Sequence, residues 1–201
     1  MTNTKPILRD LPLPITTPRL TIREVREGDG KAIYDAKKES LDDLKPWMGW
    51  AQCEKDDLSV EEGEVTCRKK AADFLRRDEL MMLAFDKKSG ELVGCTGFHN
   101  IDWDIPRLEI GFWVRSSRSG KGFATEITKA LSLYAFKALG ANCVGITHSV
   151  GNMASQKVIE KCGFEYEGTL RRDTKVGDKL YDSMFYSLLE ATNVPDIAVT
   201  W

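Results

Sequence analysis

Between residues 107 and 140 the chain changes its apolar period once, and that change fixes a strand, a corner and a helix in order. "RLEIGFWV", from Arg107 to Val114, is an apolar run of strand length. Further on, Ile127, Ala130, Leu131, Tyr134, Ala135, Ala138 and Leu139 fall at i, i+3, i+4, i+7, i+8, i+11 and i+12. Only a helix gathers that spacing on one face, so the stripe predicts an amphipathic helix packed on a sheet, with Gly140 closing its end. The corner between them, "RSSRSGKG", holds two arginines, three serines, one lysine and two glycines. A helix N-terminus presents unpaired backbone N–H groups at the positive end of its dipole, and glycines let a ligand come close to the backbone. The corner therefore predicts an anion site, with phosphate as the usual occupant, and Arg115, Arg118 and Lys121 as nearby cations. The competing reading is a solvated corner whose glycines only permit the turn.

Two common phosphate loops do not fit. A Walker A loop needs glycine where Arg115 stands and Ser or Thr where Gly122 stands. A dinucleotide fingerprint is met by Gly120 and Gly122 but has Thr125 in the third place, and no acidic residue ends the next strand, "GANCVGITHS".

The remaining chain supplies seven strands and four helices in the order β-α-α-β-β-β-α-β-α-β-β. Strands are expected at 20–25, 80–86, 92–101 and 107–114, in "NCVGITHS", in "FEYEG" and in "YDSMFYSLLE", with an arginine-rich turn (Arg171, Arg172) between the last two. Asp29 is the expected N-cap of the first helix, and a charged second helix should cover about 58–77. The short helix "NMASQKVIEKCG" is capped by Asn152, the first 18 or so residues read as extended, and the last ten read as a tail. No repeat or linker divides the chain, so one domain over 1–201, with a core over about 15–190, is expected.

Composition narrows the function. Twenty-nine basic against 31 acidic side chains argue against direct nucleic-acid binding. The absence of a signal-like or bilayer-length apolar run argues against a membrane role and for a cytoplasmic location. Five scattered cysteines without C-x-x-C predict reduced thiols, and two histidines without H-E-x-x-H predict no metal site.

"SGKGFA" after a strand resembles the Q/R-x-x-G-x-G/A acetyl-CoA signature of the GNAT superfamily of N-acetyltransferases. "TTPRLTIRE", "LEIGFWV", "GNMASQKVIEKCGFEYEG" and "LKPWMGWA" resemble, in family order, segments of its ribosomal-protein (RimJ/RimL-like) branch. The signature's first position is Ser119 here, where the family has Gln or Arg, and Arg118 is the expected substitute. The resemblance implies an α/β (α+β) fold: a mixed, mostly antiparallel seven-stranded sheet with helices on both faces, splayed in a V between strands 4 and 5. It implies acetyl-CoA as cofactor, held by Phe112, Trp113, Val114, Arg118, Ser119, Gly120, Lys121, Gly122, Phe123, Ala124, Thr125 and Asn152. The implied acceptor is a primary amine, most directly a protein N-terminus; a small-molecule amine and a non-catalytic acyl-CoA module are the alternatives. The protein is expected to be a monomer or homodimer.

Acetyl transfer to an amine needs a neutral amine, a stabilised oxyanion and a protonated thiolate. Glu109, one carboxylate in an apolar strand, is the candidate base; otherwise it pairs with Arg107 or Arg23. A backbone N–H between Phe112 and Val114 is the candidate oxyanion donor. Ser155, three residues after Asn152 on one helical turn, is the candidate acid for the thiolate, with Tyr181 and Tyr166 as alternatives. Trp47, Trp50 and His99 are candidates for the acceptor side, Trp103 is a further one, and His148 reads as a strand-end residue bonded to backbone.

Overall fold

The computed structural model describes residues 5–201. Among them, eight strands form one sheet in the order β1-β2-β3-β4-β5-β6-β8-β7. In chain order the elements are β1 (Ile15–Thr16), β2 (Leu20–Glu24), α1 (Gly30–Leu44), α2 (Val60–Arg76), β3 (Leu80–Asp86), β4 (Leu92–Asp102), β5 (Arg107–Val114), α3 (Phe123–Lys137), β6 (Cys143–Ser149), α4 (Met153–Lys161), β7 (Glu165–Val176) and β8 (Lys179–Leu188). Every neighbouring pair is antiparallel except β5 and β6. The strand beyond the expected seven is β1, whose two residues are too few to carry a period.

Period-two alternation gives the sheet two apolar faces. Leu108 and Ile110 of β5 are buried with Ile127, Leu131 and Tyr134 of α3. Leu83 and Cys95 are buried on the other face with Ile33 and Ala36 of α1 and Cys67 of α2, and Trp113 packs against them. Glu109 and Gly111 share the face of Trp113 by the same alternation.

The expected V is present, between β5 and β6 in the eight-strand numbering. Their pairing runs from Arg107↔Cys143 to Ile110↔Ile146 and stops. Past that point β5 continues along β4 to Val114↔Gly94, while β6 continues along β8 to Ser149↔Ser183. The sheet therefore opens at the end from which the glycine corner and α3 leave.

Four local expectations need correction. Asp29 holds the N-cap position of α1, its carbonyl accepting from the Ile33 N–H at 3.1 Å, but its side chain makes no cap bond; the carboxylate accepts instead from the Arg23 guanidinium at 2.7 and 2.8 Å and from the Arg26 N–H. Arg171 and Arg172 lie inside β7, because the strand runs on past an irregularity between Leu170 and Thr174 and turns at Gly177 and Asp178. The expected C-terminal tail is docked: Thr200 and Thr16 exchange backbone hydrogen bonds at 2.7 and 3.0 Å, and Trp201 meets Tyr134 edge-on at 5.5 Å. Trp103 sits away from the open end of the sheet, its indole N–H donating to the Arg77 carbonyl and the Arg9 guanidinium over its ring.

Candidate active site

The corner before α3 is built to leave donors free. After a 3₁₀ turn at Ser116–Arg118, Gly120 and Gly122 adopt φ of +71° and +79°, which side-chain-bearing residues rarely hold, and α3 starts at Phe123. The backbone N–H groups of Gly120, Lys121, Gly122, Phe123, Ala124 and Thr125 have no partner among the described residues. Six consecutive open donors at a helix N-terminus match the requirement of a pyrophosphate.

Two sets of contacts hold this ladder in place. Glu126, in the first turn of α3, accepts from the Thr17 hydroxyl at 2.6 Å, the Arg19 N–H at 3.0 Å and the Arg19 guanidinium. Arg19 also donates to the Lys121 carbonyl at 2.9 Å and lies over the Phe123 ring. On the other side, Glu39 of α1 accepts from the Ser117 N–H at 2.7 Å and from Arg115, whose guanidinium holds the Glu39 carboxyl down at about 2. Ser40 and Asp43 bind Ser116 from the same helix. Removing the Glu126 carboxylate leaves the Thr17 hydroxyl and two Arg19 donors unmatched. Because Arg19 is 44% exposed, the cost is discounted to about 2 kcal/mol, and Glu126→Ala should melt about 5 °C lower in a thermal scan. An unchanged midpoint would show that water replaces the carboxylate at no cost.

Three cavities with shared walls surround the open end of the sheet. A groove of about 570 Å³ on the α3–α4 face runs from Ser119, Gly120, Gly122, Ala124 and Thr125, past Phe112, Trp113 and Val114, to Asn152 and Ser155. A polar slot of about 220 Å³ fills the V, between Ile110–Phe112 and Ile146–Ser149. A pocket of about 450 Å³ opens on the α1–α2 face, against Trp50, Met81, Cys95, Phe98, His99 and Trp113. Met48 and Phe112 line all three, so the groove and the pocket share two walls at the open end of the sheet.

Most of the residues expected at the cofactor are brought together here. The exceptions are instructive. Phe123 is buried beneath Arg19. The Arg118 side chain is turned to Asp86, Ser89 and Glu91, so it does not stand in for the missing Gln or Arg at Ser119. Lys121 folds its ammonium back on the Ser117 carbonyl at 2.7 Å. The cations that do line the groove are Lys157 and Lys161 of α4; neither has an ion-pair partner among the described residues. Sequence reasoning missed them because helical spacing alone does not show which solvent-facing lysines overlook a cleft.

Asn152 has two ends for two tasks. Its Oδ1 accepts from the Ser155 N–H at 3.1 Å and caps α4, while its amide nitrogen has no partner among the described residues and the side chain borders both groove and slot. Ser155 borders both as well. Neither Tyr166 nor Tyr181 lines any of these three cavities, and the Tyr166 hydroxyl is bonded to Thr169 at 2.7 Å. Trp47 lines groove and slot; Trp50 lines the opposite pocket, 5.3 Å from Trp113.

Glu109 pairs with neither Arg23 nor Arg107. Arg23 is bound to Asp29, and the Arg107 guanidinium lies over the Phe185 ring. The Glu109 carboxylate accepts from the Thr147 hydroxyl at 2.8 Å and the Asn100 amide at 3.0 Å, and Nε2 of His99 is 3.5 Å away. Burial pushes its pKa up, but these three donors outweigh burial and hold it at about 2. The side chain lines none of the three cavities, whereas its neighbours His99 and Thr147 do: His99 lines the pocket and the slot, and Thr147 the slot. As expected, His148 is a strand-end residue bonded to backbone, with Nδ1 donating to the Ser149 carbonyl at 2.9 Å and its ring stacked on Tyr186.

Known proteins resemble this chain over most of its length. The acetyltransferase (GNAT) domain model matches residues 19–165. The uncharacterized N-acetyltransferase YoaA of Bacillus subtilis (strain 168) is 28% identical over 176 residues, covering 88% of this chain and 96% of that protein. The ribosomal-protein-serine acetyltransferase of Escherichia coli (strain K12) is 26% identical over 171 residues, covering 84% and 91%. Among solved structures, Mycobacterium smegmatis RimJ in complex with CoA-disulfide superposes with a TM-score of 0.81 at 24% identity, covering 95% of this chain and 92% of that one, a likeness of fold.

Proposed function

The chain belongs to the acetyltransferase (GNAT) domain family, and on that premise we propose that it transfers the acetyl group of acetyl-CoA to the α-amine of a protein N-terminus. The observation that carries the reading is the pairing of two cavities at the V: a donor-lined groove and a separate pocket share Phe112 and Met48 as walls. A thioester laid in the groove presents its carbonyl at the V, and an amine held in the opposite pocket reaches it from behind.

The pyrophosphate sits on the six open N–H groups from Gly120 to Thr125, with Lys157 and Lys161 flanking it. The arm runs along β5. Arg115 donates to Val93, which sets the antiparallel parity so that the N–H groups of Phe112 and Val114 point away from β4, toward the gap left by β6. One of these donors is placed for the oxyanion of the tetrahedral intermediate, and the Asn152 amide for an acceptor on the arm. Ser155 gives its proton to the departing thiolate.

The acceptor pocket argues against a polyamine. Its only carboxylate, Glu79, is bound to Lys70, and Lys37 adds a second cation above the Trp50 ring. Such a lining repels a polycation. Aromatic and thioether walls suit the first side chain of a peptide, and the ribosomal-protein acetyltransferase named above is a relative by sequence.

The test is thiol release from acetyl-CoA with a panel of N-terminal peptides beside polyamines, amino sugars and aminoglycosides. Turnover with peptides, and mass gain on the α-amine, are expected. Turnover confined to small amines would overturn the acceptor; tight CoA binding with no turnover on any amine would leave a binding module. Replacing Lys157 and Lys161 together by Ala should weaken CoA about tenfold at low salt, with the difference closing as salt is raised. Equal affinities by calorimetry at low salt would remove the two lysines from the site.

A further inference from the structure

We propose that His99 is the group that takes the proton from the acceptor amine, and that Glu109 is the positioning residue that orients its ring. The inference rests on the acetyl-transfer reading above and assigns the base within it.

The placement is specific. His99 is the one titratable side chain among the described residues that lines both the acceptor-side pocket and the slot in the V. It faces Glu109 directly across the β4–β5 ladder, on the same side of the sheet. Glu109 is 15% exposed and His99 39%, so the carboxylate is the inner member and the imidazole the outer one. The carboxylate is itself fixed by Thr147 from β6 and Asn100 from β4. An acceptor-only carboxylate 3.5 Å from Nε2 favours the tautomer that carries its hydrogen there. Nδ1 then keeps its lone pair, and it has no partner among the described residues.

The ring lies over Gly111, the first residue of β5 past the point where β6 leaves. A Cβ at that position would stand 3.1 Å from Cε1 and 3.2 Å from Nδ1 of His99. A side chain there would push the imidazole off the strand edge that receives the thioester. His148, the other histidine of the slot, is a weaker candidate on geometry: the residue is 6% exposed, its Nδ1–H is bound to Ser149, and its Nε2 is closed off from solvent.

The proton balance is complete within these groups. Nδ1 of His99 takes one proton from the acceptor ammonium. The amine nitrogen bonds to the thioester carbonyl carbon, and collapse of the intermediate breaks the C–S bond. The thiolate takes a proton from the Ser155 hydroxyl, which regains one from the new amide nitrogen, and His99 releases its own to water. Glu109 stays ionised over the whole working range, since its carboxyl is held at about 2, and so supplies no inflection of its own. The other charged groups facing His99 are Lys37 from α1, Lys70 from α2 and Glu79 beside β3, the last two paired with each other.

The experiment is a set of pH–rate profiles for the parent, His99→Gln and Glu109→Gln on one peptide substrate, with melting temperature and CoA affinity measured on each. His99→Gln should lose roughly 100-fold in kcat near pH 7 and keep only the inflection of the amine itself, about pH 8, so that the loss shrinks above it. Glu109→Gln should lose less and keep an imidazole inflection. His99→Ala should regain turnover when free imidazole is added, a response that a purely structural histidine does not give. The assignment is overturned if folded His99→Gln, with CoA affinity intact, keeps the parent's profile, or if Glu109→Gln alone loses the inflection. A parent with no turnover on any amine would instead refute the acetyl-transfer reading itself.

Discussion

Gly122→Val should weaken coenzyme A binding by about 100-fold, the equivalent of about 2.7 kcal/mol. Two separate effects add. A β-branched residue at φ +79° is strained by roughly 1–2 kcal/mol, which the corner can relieve only by turning its N–H groups away from one common direction. The new side chain also enters the groove where phosphate oxygens must come within hydrogen-bond distance of the backbone. It meets little protein, the nearest atom being a guanidinium nitrogen of Arg19 at 3.5 Å, so the folded state survives the substitution. Gly90→Val separates strain from binding: Gly90 has φ +73° and open space around it, in the turn between β3 and β4. It should lower the melting point by a comparable amount and leave CoA affinity alone. Calorimetric titration of both variants decides the matter. Unchanged affinity in Gly122→Val would move the cofactor off the corner.

Ser155→Ala should cut kcat by about 100-fold while KM for acetyl-CoA stays within about threefold, because an acid for the leaving group acts in the transition state and not in the ground state. The substitution is a clean one. The cap of α4 uses the backbone N–H of Ser155, which alanine keeps, so Asn152 continues to close the helix and the melting point should not fall. Steady-state kinetics with peptide saturating, beside a thermal scan, separate the two outcomes. A variant with the parent's kcat would mean that the thiolate is protonated by water in the slot, since Tyr166 and Tyr181 line none of the cavities.

The elements around the site were legible because their signals are local. The stripe from Ile127 to Tyr134 is buried as its spacing requires, β5 occupies the expected residues, and Asn152 caps the helix after the slot. Both glycines of the corner have the left-handed φ that their residue type makes inexpensive. Each of these follows from neighbours in the chain, whose period or backbone demand is written in contiguous letters.

The partners of the long polar side chains were not legible. Arg118 and Lys121 belong to the glycine corner in sequence, yet Arg118 reaches Asp86, 32 residues away, and Lys121 turns back on its own corner, while Lys157 and Lys161 line the groove from another helix. Arg19 secures the corner across 107 residues, through a buried carboxylate that looks in sequence like one more charged position on a helix. Glu109 stood out as a carboxylate in an apolar strand, but only the β4–β5 register sets it opposite His99, which lines the pocket and the slot. A flexible charged side chain pairs with whatever the fold brings within several ångströms, and that choice has no period. The sequence by itself determined the strand, the corner, the helix and the free N–H groups; the tertiary structure alone decided which charges meet there, because ion pairs and cross-strand registers join residues that the chain keeps far apart.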